Sequence, residues 1–199
     1  MEIEKMNRPK HREKIIRTLF KNFLVEYNSR SLSKTIGITH AGTFKILKKL
    51  EKENIVKSRK IGKAVVYSLN MENSRTITEI ELSLIVESEN YNRWIEEFKK
   101  LKDKSKFVIL FGSIVKNLKE AKDIDILIVT EKNKLEESQQ IISERSKLSY
   151  KKIHPLTQTL RDFNNDVSNK NKAIIEIMRT GIVLYGHREV VKILRNYIK

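Results

Sequence analysis

The chain has no cysteine, two prolines and six glycines in 199 residues. Without cysteine there are no disulfides and no thiolate metal sites, which fits a reducing compartment. The four histidines, at positions 11, 40, 154 and 187, are scattered and make no zinc spacing; neither zinc nor haem is expected. No apolar run approaches the roughly twenty residues that span a bilayer, and the opening stretch MEIEKMNRPKHREK has no signal-peptide core. A cytoplasmic chain with no membrane partner is the expectation. Negative charge is also scarce, with 25 Asp+Glu against 41 Lys+Arg and a formal net charge of +16.

That excess is uneven. Residues 1–70 hold 17 Lys+Arg and 6 Asp+Glu, a net of +11. Such a concentration releases counterions from DNA and makes binding steeply salt-dependent. Within it, SLSKTIGIT (Ser31–Thr39) predicts a short helix capped by Ser31, a turn at Gly37 and a second helix capped by Thr39. The second helix is expected over His40–Glu53, with Phe44, Leu47 and Leu50 as its apolar face and Lys45, Lys48, Lys49 and Lys52 over much of the rest. Ile55–Leu69 follows as two β-rich runs around Lys60-Ile-Gly-Lys63, a hairpin whose Gly62 can take positive φ. Over roughly Lys10 to Asn70 this order resembles the winged helix–turn–helix of prokaryotic transcription regulators. The resemblance implies double-stranded DNA as partner. Thr39, His40, Thr43 and Lys45, at the start of the second helix, would face base edges or flanking phosphates, Lys48 and Lys49 would also bind DNA, and Arg59, Lys60 and Lys63 would meet phosphates or the minor groove. A winged helix can also serve as a protein-docking module.

Residues 75–102 contain neither glycine nor proline. Thr76 and Glu79 suggest a capping box. Ile77, Leu84, Tyr91 and Phe98 recur every seven residues, with Ile80, Glu87, Trp94 and Leu101 at the companion positions. One helix of about 40 Å is expected, pairing two chains as a homodimer through residues 76–102; the alternative is that the stripe packs inside the monomer.

The stretch FGS (Phe111–Ser113) and, ten residues on, DIDILIV (Asp123–Val129) carry the chemistry. Val108–Phe111 predicts a buried strand, Gly112-Ser113 a turn, 114–120 a helical turn and 123–129 a second strand. Strand side chains alternate, so Asp123 and Asp125 project from one face. Two neighbouring carboxylates repel unless a cation lies between them. Backbone N–H groups at the turn and the Ser113 hydroxyl complement them as a phosphate cradle, which suggests Mg²⁺ with a nucleoside triphosphate.

This arrangement resembles the minimal nucleotidyltransferases of the DNA polymerase β superfamily, supported by TGIVLYG at Thr180–Gly186. The resemblance implies Gly112 and Ser113 as nucleotide-binding residues and Asp123 and Asp125 as catalytic, metal-holding residues. It also implies a third carboxylate on a later strand. The corresponding stretch, YKKIHPLTQTL (Tyr150–Leu160), has none; His154 stands where the acid is expected, and Asn117 replaces the family's second glycine. The general base for an attacking hydroxyl would then be missing.

The fold expectation is α+β: a winged helix–turn–helix over 1–72, a connecting helix over 73–103 and a small nucleotidyltransferase-like domain with a mixed sheet over 104–199. The functional expectation is a DNA-binding regulator whose second domain senses Mg-nucleotide or docks a partner protein. The alternative is an active nucleotidyltransferase modifying a protein, RNA or small-molecule hydroxyl, or an antitoxin-like protein.

Overall fold

The structure, a computed structural model, describes residues 11–117 and 120–198. The opening ten residues, including Lys10 where the first resemblance begins, lie outside the described residues, as do 118–119 of the expected helical turn and the final residue. Two compact units are present. One comprises the described residues up to Val86 with those from Leu194 onward; the other is Glu87–Ile193. No helix among the described residues is long and apolar enough to cross a membrane.

The first unit runs α1 (His11–Lys21), β1 (Tyr27–Asn28), α2 (Ser29–Ile36), α3 (His40–Lys52), β2 (Val56–Ile61), β3 (Ala64–Leu69) and α4 (Ser74–Ser88). Its sheet is antiparallel with order β1-β3-β2. The hairpin turns between Ile61 and Ala64, where Gly62 takes φ 57°, a conformation an L side chain resists. Ile15, Ile16 and Phe20 of α1 are buried with Leu32, Leu47, Leu50, Ile80 and Leu84. Arg12 of α1 ties this layer at its edge, donating to Glu53 at 2.8 Å and to Glu79 at 2.7 Å.

Four expectations for this region are corrected. Asn28, not Ser31, caps α2: its side chain accepts from the Ser31 N–H at 2.8 Å, and its own N–H donates to Ser31 Oγ at 3.0 Å. Thr76 and Glu79 form no capping box. The Thr76 side chain is buried and donates toward Ile55 O, while Glu79 is held by Arg12 and Arg75. Phe44 is not on the apolar face of α3, being 44% exposed, whereas Thr43 is wholly buried. Finally, residues 75–102 are not one helix. After α4 come a 3₁₀ turn (Glu89–Tyr91), α5 (Asn92–Glu97) and another 3₁₀ turn (Lys99–Leu101). The seven-residue stripe is divided: Ile80 and Leu84 are buried in the first unit, and Trp94, Phe98 and Leu101 belong to the core of the second. On α4, Leu82 and Ile85 are 51% and 37% exposed.

The second unit continues with β4 (Phe107–Phe111), α6 (Ser113–Lys116), β5 (Asp123–Thr130), α7 (Leu135–Leu148), β6 (Lys152–Thr159), α8 (Leu160–Ser168), α9 (Lys172–Thr180), β7 (Ile182–Tyr185) and α10 (His187–Leu194). The sheet order is β6-β5-β4-β7, with β5–β6 parallel and the other pairs antiparallel. The architecture is thus α+β with a mixed sheet. Both faces are covered, which explains why β4 and β5 read as near-continuous apolar runs. Val108, Leu110, Ile126 and Ile128 face a core with Trp94, Phe98 and Ile142. On the opposite face, Phe107 meets Phe163 of α8 edge-on at 5.0 Å. Pro155 lies in β6, an edge strand, where a missing N–H is tolerated.

Candidate functional site

Asp123 and Asp125 open β5, and the burial pattern alternates there: both are half-buried and Ile124 between them is fully buried. Antiparallel pairing sets Phe111 opposite Asp125, which brings the Gly112 turn against that carboxylate. Gly112 takes φ 78° and ψ −153°. A Cβ there would fall on Asp125 Oδ2 and lie 2.9 Å from its Cγ. Glycine is therefore required twice, by its backbone conformation and by the side chain packed against it. Ser113, exposed, begins the single turn of α6, which no side chain caps. Asn117 is extended (φ −147°), so the turn needs no second glycine there.

Parallel pairing of β5 with β6 places His154 directly beside Asp125, with Nδ1 3.5 Å from Oδ1. Their side chains are 44% and 27% exposed. The structure thus brings together Gly112, Ser113, Asp123, Asp125 and His154 at one end of the sheet. Among the described residues no third acidic side chain joins Asp123 and Asp125. Asp162 and Asp166 are engaged elsewhere: Asp162 accepts from the Thr159 hydroxyl at 2.7 Å, and Asp166 accepts from Gln158 at 2.6 Å and Asn171 at 2.7 Å.

This donor set decides which cation it suits. Mg²⁺ is commonly bound through one or two carboxylates plus waters and substrate phosphates. Asp123 and Asp125 supply two carboxylates, a number that fits one such ion. They do not fit a pair of ions, which needs the missing third carboxylate. Among the described residues no group of three or more His, Cys, Asp or Glu side chains comes together to hold a metal.

The residues singled out in the first unit divide by burial. Thr39 caps α3, its hydroxyl accepting from the Gly42 N–H at 3.2 Å. Thr43 is removed from the surface, its hydroxyl donating back to Thr39 O at 3.0 Å, which lets a threonine pack among Leu47 and Leu50. His40 is exposed, and its Nε2 pairs with Ser29 Oγ at 2.9 Å. Lys45, Lys48, Lys49 and Lys52 are exposed on α3, and Arg59, Lys60 and Lys63 on the hairpin. Lys48 donates to Glu51 at 2.8 Å, a bond that raises its pKa, and Arg59 is paired with Glu26.

Phe44 is the surface residue that sequence reasoning misassigned. Its ring lies among these lysines, with Lys48 Nζ 5.8 Å from its centroid. A signal was present. Thr43, Leu47 and Leu50 stand at i, i+4 and i+7, a complete helical stripe, and Phe44 is one position out of phase with it.

Residues 92–190 match the model of the family described as Polymerase beta, Nucleotidyltransferase. No curated protein and no solved structure matches the chain. Strand, Gly-Ser turn and paired aspartates all lie inside the matched span, so the second unit carries a nucleotidyltransferase-like domain.

Proposed function

We propose that the chain is a DNA-binding regulator: a winged helix–turn–helix whose nucleotidyltransferase-like domain binds a Mg-nucleotide as a signal rather than turning it over. The observation that carries the DNA-binding half is the run of exposed cations on α3 and the hairpin, with Lys45, Lys49, Lys60 and Lys63 all outward. Elements in the order helix, helix–turn–helix and β-hairpin support the same reading. In this arrangement α3 enters the major groove while the hairpin lies along the backbone.

The second half rests on His154. With imidazole beside Asp125 in place of a third carboxylate, Asp123 and Asp125 would hold a single ion. Bound there, Mg²⁺ supplies charge neutralisation for the phosphates. Gly112 and Ser113 orient the phosphate oxygens through backbone N–H groups and a hydroxyl.

Lys45→Glu with Lys60→Glu tests the first half. Lys45 is a better reporter than Lys48, whose amine Glu51 holds. Each lost phosphate contact lowers the dependence of log K on log salt by about one. The double variant should lose about two from that slope and most of its affinity for a generic duplex, measured by fluorescence anisotropy. Unchanged affinity and slope would reject the assignment. For the second half, Mg²⁺ with a nucleoside triphosphate should raise the wild-type melting temperature but not that of Asp125→Asn. A ligand at a hundredfold excess over Kd adds about 2.7 kcal/mol. Nucleotide turnover by the wild type would favour the enzymatic alternative.

A further inference from the structure

We infer that Phe44 is a specificity-determining residue that reads thymine methyl groups, so that the preferred duplex carries thymine under the N-terminal half of α3. The inference rests on the proposed DNA-binding reading and adds the chemistry of base recognition to it. It starts from what α3 lacks. HAGTFKILKKLEK contains no Asn or Gln, the side chains that pair bidentately with adenine, and no Arg, so guanine could be read only by its lysines. Its lysines are point charges suited to phosphates and to a single acceptor. Thr43 is buried, and the His40 ring is tied to Ser29.

Apolar contacts remain. Ala41 and Phe44 are both exposed, three residues apart and therefore on neighbouring positions of one helix face. The Phe44 ring stays at the surface although Leu47 and Leu50 of the same helix are wholly buried. It lines a groove of about 510 Å³ together with Ser29, Arg30, His40, Lys48 and Val65 of the hairpin strand. It also borders the lysine face formed by Lys45, Lys49 and Lys52. An aromatic ring that shares its surface with Arg30 and four lysines suits an occupant that is anionic along its edges and apolar at its centre. A duplex presents that combination where thymine C5-methyl groups project into the major groove between two phosphate backbones. The charge complementarity is what selects DNA over an apolar protein surface.

The test uses the full chain. A duplex is first selected by the wild type from a randomised library at fixed salt. Its affinity is then compared with that of the same duplex carrying deoxyuridine for thymine, which removes only the C5-methyl. The wild type should weaken by about fourfold for each methyl withdrawn from Phe44, the worth of one buried methylene-sized group. Phe44→Ala should bind the thymine duplex more weakly and be indifferent to the exchange. Phe44→Leu, still apolar, should keep part of the discrimination. Wild-type indifference to deoxyuridine, or full discrimination by Phe44→Ala, would overturn the assignment while leaving DNA binding intact. A mass that doubles with concentration in the wild type but not in Phe44→Ala would place a second copy of the chain on this face and overturn it as well. Failure to bind any duplex would remove the DNA-binding reading itself, and this inference with it.

Discussion

Replacing Gly112 with alanine tests the geometry at the centre of the carboxylate site without requiring any activity. The backbone there, φ 78° and ψ −153°, lies in a region that is essentially glycine's alone, and another residue held in it costs about 1–3 kcal/mol. The new methyl would also occupy the place of Asp125 Oδ2 and stand 2.9 Å from Cγ. The carboxylate must therefore turn out of its rotamer, at about 0.5–1.5 kcal/mol. Together these come to about 2–4 kcal/mol, or on the order of 10–20 °C in Tm for a unit of this size. Trp94, the chain's one tryptophan, is buried in the second unit, so its fluorescence during denaturation reports on that unit. In an Asp125→Ala background Cγ and Oδ2 are gone and only the backbone strain remains, with Asp125 Cβ at 3.2 Å. Gly112→Ala should cost about 1 kcal/mol less there, a coupling that a double-mutant cycle resolves. Equal cost in both backgrounds, or a single variant melting within about 2 °C of wild type, would refute the packing of Asp125 on Gly112.

Two further outcomes follow from burial. Leu84→Asp places a charge in a site with no exposure and should destabilise the first unit by about 4 kcal/mol or more. A soluble, folded variant that differs only in oligomeric mass would instead show that Leu84 serves an interface between chains. His187 is partly buried with its Nε2 unpartnered, and burial lowers its pKa, against the opposing pull of the Val183 backbone and the Glu87 charge. A histidine with a depressed folded pKa contributes stability that is fully present above its unfolded value, near 6.5, and is lost as pH falls below it. The gap in stability between wild type and His187→Gln should therefore change steadily as pH drops below about 6.5. Parallel stability curves across that range would show that His187 does not titrate in this window.

Much of the site was legible because its signals are local. A two-residue period is enough to place Asp123 and Asp125 on one face of a strand, and an apolar strand ending in Gly-Ser announces a tight turn. The Thr39 cap and the Gly62 hairpin are equally local: one needs a side-chain oxygen three residues before an N–H, the other a residue that accepts positive φ. Phe44 and Thr43 were read by polarity, and polarity misled. A threonine whose hydroxyl returns to the carbonyl four residues back can be buried at little cost, and a phenylalanine beside it is then left outside the stripe.

What the sequence by itself determined is the set of elements and the chemical inventory: basic helix and hairpin, apolar strands, two aspartates, and no third acid in the stretch where one was expected. What only the tertiary structure decided is which of these meet. The resemblance set His154 where an acid was expected, but that its imidazole lies against Asp125 follows only from the parallel pairing of β5 with β6, a register set by contacts about thirty residues apart. The seven-residue stripe between 77 and 101 fits a seam between chains or a buried face equally well, because periodicity records which side of a helix is apolar and not what covers it. Here two separate cores divide it, and the helix breaks between them.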